Sequence, residues 1–378
     1  MMKLGLLETP CLVLDEAKLE RNVARMRGHL DKLGVRLRLH VKTAKSIDAA
    51  WRVLRSPEDP ITVSTLKEAE YFFSHGVRDI LYAVGLTPNK LDHVTQLRSR
   101  GAQLSVILDN VEAARSVAAH ARSAKDRIPV LIEIDCDGHR SGIVPADPLL
   151  SAIGRILAES ECELRGVMTH AGASYNQDTV EGIRAMAVQE RDAVVHSARA
   201  LRAAGLPCPV VSVGSTPTAT CAEDLSGVTE VRAGVFVFFD LVMAGLNVCA
   251  VDDIAVSVLG SVIGHQRDKG WIIVDAGWMA MSRDRGSAKQ KIDQGYGIVC
   301  DARGKPYSNL IMADANQEHG ILALRPGARE PLPDLPIGTL VRILPNHACA
   351  TGAQHSAYQV VRGESDEIRA TWPRINGW

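Results

Sequence analysis

Short apolar runs rich in β-branched residues alternate with longer segments of helical period over the first two thirds of the chain. The runs fall at Val35–Val41, Ile61–Thr65, Asp79–Val84, Leu104–Asp109, Pro129–Asp135, Leu164–His170, Pro209–Gly214 and Thr229–Gly234. Between them lie helical stretches such as Lys67–His75, Asn110–Ala124 and Val180–Ala204. In the last of these, Ile183, Met186, Ala187, Val194 and Val195 make an apolar stripe along one face. Strand–helix alternation of this kind predicts a parallel sheet. Eight such units within about 210 residues fit a closed β/α barrel.

After about residue 250 the texture changes. Val256–Val262, Trp271–Asp275, Leu340–Leu344, Tyr358–Val361 and Ile368–Trp372 read as strands joined by Gly- and Pro-rich turns, as in Arg325–Pro336. The opening run Cys11–Leu14 is a further strand with no place in an eight-stranded barrel, and it is expected to pair with the C-terminal region. The predicted fold class is therefore α/β. An eight-stranded β/α (TIM-like) barrel is expected over residues 16–245, with a mostly β domain built from residues 1–15 and 246–378.

Composition changes this picture little. The chain has 378 residues, 46% apolar and 23% charged, enough to build two cores of ordinary globular character. Its net charge is −1 with no basic run, so neither nucleic acid nor an anionic membrane is expected as a partner. No apolar stretch approaches the roughly 18–20 residues of a membrane span. The opening MMKLGLLETPCLVLDEAK lacks the long apolar centre and cleavage site of a signal peptide. The eight cysteines are scattered without a CxxC pair, which points to reduced thiols and a cytoplasmic location.

Barrel active sites lie at the C-terminal ends of the strands, so the polar residues there carry the candidate chemistry. The first barrel strand runs into His40-Val41-Lys42-Thr43. A lysine held at a barrel mouth among polar groups is a usable amine nucleophile for a carbonyl. A surface lysine opening the next helix is the ordinary alternative. Lys45, one turn further into that helix and more solvated, is the competing candidate. The fifth strand ends in the polar cluster Asp135–Gly142, where Arg140 could grip a carboxylate or simply pair within its loop. The sixth ends near His170 and Tyr175, an imidazole and a phenol suited to an aromatic cofactor. Strands seven and eight end in Gly214-Ser215-Thr216-Pro217 and Gly234-Val235. Small residues and hydroxyls at that place suit a phosphate.

In the β-rich region, Pro345-Asn346-His347-Ala348-Cys349 follows an apolar strand. On an extended chain, side chains at i and i+2 point to one side, so His347 and Cys349 are candidate ligands of a metal such as zinc. A buried thiol near a turn histidine is the alternative. Two ligands fit an open, catalytic shell better than a structural one. Asn316-Gln317-Glu318-His319-Gly320 is read as a loop or a supporting element.

Taken in order, these pieces resemble a known family. They are Thr9-Pro10, Leu12–Asp15, His40–Thr43, Asp137–Gly142, His170-Ala171-Gly172, Val213–Thr218, Glu318–Gly320 and Pro345–Cys349. Their order and spacing resemble the D-serine dehydratase and D-threonine aldolase group of alanine-racemase-like pyridoxal-phosphate (PLP) enzymes, over nearly the whole chain. The resemblance implies PLP held as a Schiff base on Lys42, its phosphate near Ser215, Thr216, Gly234 and Val235, and Tyr175 beside the cofactor. It also implies a metal on His347 and Cys349, with zinc favoured by thiolate softness, and a homodimer. The aldolases of the group carry His-x-Asp where this chain has His347-Ala348-Cys349, so the resemblance favours dehydration of a D-3-hydroxy amino acid. 3-Hydroxyaspartate would give oxaloacetate and ammonia. Arg140 is a candidate partner for a second substrate carboxylate. One departure is Ala44, where relatives often carry a polar residue. D-Serine dehydration, aldol cleavage of D-threonine, a racemase and a PLP-binding protein without turnover stay open at this point.

Overall fold

The computed structural model describes residues 2–378. The chain forms two compact units. One comprises Arg25–Gly234 with Gly377–Trp378; the other comprises the chain up to Ala24 with Val235–Asn376. The breaks thus follow Ala24 and Gly234, rather than residues 15 and 245.

After β1 (Cys11–Asp15), which belongs to the second unit, come the strands of the first: β2 (Arg36–His40), β3 (Ile61–Val63), β4 (Asp79–Gly85), β5 (Gln103–Leu108), β6 (Pro129–Ile134), β7 (Glu163–Thr169), β8 (Val210–Val213) and β9 (Glu230–Ala233). They close into an eight-stranded barrel, every neighbouring pair parallel, with Arg36 opposite Glu230 sealing the ring. Each predicted run became a strand because its apolar residues are buried on the barrel wall, as with Ile61, Val63, Ile80 and Val106.

The interior of the barrel is half apolar and half ionic. Leu81, Ile107, Leu131 and Met168, one from each of β4–β7, form a single buried cluster. Across the ring, Arg38 reaches Glu230 at 2.9 Å and Asp79 at 2.8 Å. Ser212 donates to Glu230 at 2.8 Å, and Arg232 donates to Ser212 at 2.6 Å. A buried charge persists only when it is paired and hydrogen-bonded, and this ladder supplies both.

The helices have legible starts. Asn110 accepts the N–H of Ala113 and begins Val111–Ala124; Thr179 accepts that of Gly182 and begins Val180–Ala203. The stripe of the long helix is buried as its period predicts, its Ile, Met and Val side chains contributing about 1.5–3 kcal/mol each.

The second unit is a nine-stranded sheet. Its other strands are β10 (Val256–Gln266), β11 (Trp271–Val274), β12 (Gly297–Asp301), β13 (Pro306–Ala315), β14 (Gly320–Leu324), β15 (Leu340–Pro345), β16 (Ala357–Val361) and β17 (Ala370–Pro373). Their order is β11-β14-β13-β12-β15-β10-β1-β16-β17. β1 runs antiparallel to β10 and parallel to β16, so the opening strand does pair with the C-terminal region. Leu4, Val13, Leu259, Val361 and Ile368 form one of its core clusters. Strands β12–β14 were not visible in the apolar pattern. β12 and β14 are only five residues long, and β13 is exposed over most of its first half. The polar cluster Asn316–Gly320 is the turn joining β13 to β14, closed by the Asn316 N–H donating to the His319 carbonyl at 2.8 Å.

Among the described residues, no helix is long and apolar enough to cross a membrane. All eight cysteines are free thiols.

Candidate active site and metal centre

All barrel strands point the same way, so the residues following them gather at one rim. Lys42 lies two residues beyond β2, in a turn closed by the Lys45 N–H donating to the Val41 carbonyl at 2.8 Å. Its competitor Lys45 is neither helical nor free in solvent. It sits at φ +46°, with Nζ 3.1 Å from the buried Glu68 carboxylate, which commits it to an ion pair.

Two imidazoles share the rim with Lys42. Burial, together with the nearby charges of Lys42, Arg232, His170 and Arg140, holds His40 well below the usual histidine range. Burial and the charges of Arg140, Lys42 and Arg232 push His170 down to about 3, against the opposing pull of the Gly214 carbonyl. His170 donates from Nδ1 to that carbonyl at 2.6 Å, which leaves Nε2 without its proton. Its ring lies 6.3 Å from that of the half-buried Tyr175, tilted by 39°. Two neutral rings are thus ringed by three cations, a setting that suits an aromatic, anionic guest. Arg140, expected as a carboxylate partner or a loop ion pair, is half exposed and 3.6 Å from Glu133. Arg232 is fully recessed; burial pulls it down to about 10, while Glu230, Glu190 and Glu133 hold it up.

The turn after β8 is built around Ser215, which caps the short helix Thr216–Cys221. Ser215 Oγ lies 2.9 Å from Ser174 Oγ and 2.8 Å from Thr218 Oγ1. Thr216 differs: its Oγ1 is buried and has no hydrogen-bond partner. An orphaned buried hydroxyl is costly unless a guest satisfies it. After β9, a Cβ on Gly234 would stand 2.5 Å from the His40 carbonyl and 3.1 Å from Thr43 Oγ1, so only glycine lets the two turns approach. Val235 follows at the head of a 3-10 turn, Val235–Val237. An orphan hydroxyl, a capped helix start and a side-chain-free strand end form a cradle that fits a phosphate group.

Glu190 escaped the sequence reading. Its buried Oε1 accepts the N–H of Ala171 and the N–H of Gly214, both at 3.0 Å. One carboxylate on the long helix thereby fixes the turns after β7 and β8. The signal was present: Glu190 interrupts the apolar stripe of Val180–Ala203, between Met186 and Val194.

In the second unit, β15 delivers His347 to the start of the short helix Ala348–Gly352. Only His347 is extended (φ −135°, ψ 107°); Cys349 is already helical. The two were paired by an extended-chain argument that does not hold here, and it is the tight helical turn that brings them within hydrogen-bonding reach of each other. His347 Nδ1–H donates to Asp284 Oδ2 at 2.6 Å, which orients the ring. Asp240, buried beneath the turn, accepts the N–H groups of Met243 and Ala348, each at 3.0 Å. Burial alone would lower His347, but Cys349, Asp284 and Asp240 overcome it and hold the ring up at about 11. The negative charge that so favours a proton on this imidazole also favours a metal cation in that proton's place. Among the described residues, no cluster of three or more His, Cys, Asp or Glu side chains is placed to close a metal shell. The donor set is one imidazole nitrogen and one thiolate with an orienting carboxylate. It fits a borderline-soft divalent ion with an open coordination sphere.

Comparison with known proteins agrees with this architecture. Residues 14–242 match the family model "Alanine racemase, N-terminal domain", and residues 255–361 match "Putative serine dehydratase domain". The chain is 57% identical to the D-threo-3-hydroxyaspartate dehydratase of Delftia sp. (strain HT23), over 98% of each chain. Two solved structures of D-threo-3-hydroxyaspartate dehydratase each align at TM-score 0.97 and 56% identity over the whole of both chains. One is from Delftia sp. HT23, and the other is a cysteine-to-alanine variant in the metal-free form. A 3-hydroxy-D-aspartate aldolase of Paracoccus denitrificans is 26% identical over 97% of this chain and 91% of its own. The chain belongs to the alanine racemase N-terminal-domain family, with its barrel followed by a domain of the serine dehydratase kind.

Proposed function

We propose that the protein is a PLP- and metal-dependent lyase that dehydrates D-3-hydroxy amino acids, converting D-threo-3-hydroxyaspartate to oxaloacetate and ammonia. The observation that carries this reading is the 57% identity to a dehydratase of that substrate, sustained over 98% of both chains.

Lys42 is the covalent holder of the cofactor's aldehyde. Ser215, Thr216 and Gly234 cradle the phosphate, with the amide of Val235 beside them, and Tyr175 flanks the ring. His170, kept neutral and anchored on Gly214, would bring no competing positive charge to the cofactor. PLP, when bound, supplies an electron sink that makes the substrate's α-C–H acidic. Lys42 Nζ, as a free amine, would be the base placed to take the α-proton. His347 and Cys349 hold the divalent metal, oriented by Asp284, and zinc is the ion this donor pair favours. The metal supplies the Lewis acidity that a hydroxyl leaving group needs near neutral pH. The metal-free form of the relative's cysteine variant is in keeping with a cysteine ligand. Arg140 is the candidate partner for the second carboxylate of the substrate. A homodimer in the cytoplasm belongs to the same reading.

The test is an ammonia-release screen over D- and L-3-hydroxy amino acids, with metal content measured on the same sample. Release from D-threo-3-hydroxyaspartate well above D-serine and D-threonine is expected. Absence of ammonia from every D-substrate by metal-replete protein would overturn the reading.

A further inference from the structure

Arg342 is the one charged side chain on β15, and it is only 4% exposed. Its Nε donates to Ser257 Oγ on β10 at 2.8 Å. Among the described residues, its terminal nitrogens have neither a hydrogen-bond acceptor nor an ion-pair partner. These nitrogens are not among the fully buried unpartnered atoms, so they open onto the space beside them, and a guanidinium there stays charged. Arg342 lines a cavity of about 280 Å³ within the second unit.

The walls of this cavity are predominantly cationic. Lys18 and Arg21 come from the helix Glu16–Lys32, and Arg303 and Lys305 from the hairpin joining β12 and β13. Three carboxylates also line it: Asp15, Asp252 and Glu364. Asp15 Oδ1 is committed to the N–H groups of Ala17, Lys18 and Gly363 at 2.9, 3.3 and 3.0 Å. Asp252 is exposed and paired with Lys18 at 3.1 Å. Neither Arg303 nor Lys305 has an ion-pair partner among the described residues. The hairpin holding them is shaped for this position. Asp301 Oδ1 accepts the N–H groups of Arg303 and Lys305 at 2.9 and 3.0 Å. Gly304, at φ +89°, would place a Cβ 3.0 Å from Arg342 Nη1. A glycine there lets the hairpin close over the guanidinium.

We propose that this cavity is a binding site for a small oxyanion, gripped by the Arg342 fork and flanked by Lys18, Arg303 and Lys305. A planar guanidinium with free terminal N–H groups matches two oxygens of a carboxylate or a phosphate. The cavity is large enough to admit inorganic phosphate or a four-carbon dicarboxylate. None of these residues belongs to the Lys42 cluster or to the His347–Cys349 turn, and the inference does not rest on the dehydratase reading.

The test is calorimetric titration of the PLP- and metal-loaded protein, dialysed into an oxyanion-free chloride buffer, with inorganic phosphate and separately with succinate. At least one anion is expected to bind once per chain. The double variant Arg303→Ala/Lys305→Ala is expected to weaken that binding at least tenfold, and Arg342→Met to abolish it. Cofactor absorbance should be unchanged in both, which also reports that they fold. Preference for phosphate or for succinate names the ligand class. No binding of either anion, leaving a cavity that holds water alone, would overturn the proposal. So would binding that the double variant leaves unaltered.

Discussion

Glu190 Oε1 accepts the backbone N–H of Gly214 at 3.0 Å, and the same oxygen accepts that of Ala171. A single side chain on a helix thus sets the height of two turns at the barrel rim. Glu190→Ala leaves both N–H groups buried without an acceptor, each costing about 1–3 kcal/mol. The variant should lose about 2–6 kcal/mol of unfolding free energy. Glu190→Gln keeps an acceptor oxygen and should lose much less. Denaturant unfolding of both variants checks this; an undiminished Glu190→Ala protein would show that the bonds do not hold the turns.

His170 makes stability depend on pH. Its folded-state pKa is pushed down to about 3 by burial and by its cationic neighbours, against about 6.5 when unfolded. Between those values the unfolded chain binds the extra proton. This contribution is therefore complete above pH 6.5 and is lost as pH falls towards 3. At pH 5 the loss should be about 2 kcal/mol from this residue alone. His170→Asn keeps a donor for the Gly214 carbonyl but cannot be protonated. The stability gap between wild type and His170→Asn, measured by urea unfolding at pH 5 and pH 8, should move by that amount in the variant's favour at pH 5. A gap independent of pH would refute the assignment.

The cofactor residues separate by spectrum and affinity. Lys42→Ala should remove the visible absorbance of the lysine-linked cofactor. Thr216→Val should retain that absorbance while weakening PLP binding about 5–20-fold, because it removes one otherwise unpartnered hydroxyl donor. Titration of each apoprotein with PLP reads both effects. Unchanged affinity in Thr216→Val would place the phosphate elsewhere.

Asp284 should act on the metal only through His347. Asp284→Asn is expected to reduce metal affinity about 10–100-fold, the usual effect of losing a carboxylate that orients a ligating imidazole. Cys349→Ala should empty the site at metal concentrations that saturate wild type. Elemental analysis after dialysis against graded chelator decides; full metal content in Cys349→Ala would remove the thiolate from the ligand set.

Much of the fold was legible because strands such as Ile61–Val63 and Leu104–Leu108 are rich in β-branched and apolar residues, with helical stretches between them. β13 was hidden because its exposed first half leaves no apolar alternation to read. The place of Lys42 just past a strand end was legible, whereas the ion pair of Lys45 depended on Glu68, on the helix that follows β3. The donor chemistry of His347 and Cys349 is visible in the sequence, but the backbone geometry that joins them is not. A period-2 argument cannot foresee that β15 turns into a helix one residue after His347. Asp284 and Asp240 gave no signal, since only the folded chain brings carboxylates from those loops to the His347 turn.

The most direct measurement follows one substrate to its products. D-threo-3-Hydroxyaspartate is incubated with metal-replete, PLP-loaded protein and the mixture resolved by NMR. Oxaloacetate and ammonia in equal amounts, abolished by Lys42→Ala, are predicted. Glycine and glyoxylate in their place would make the enzyme an aldolase and contradict the dehydratase reading.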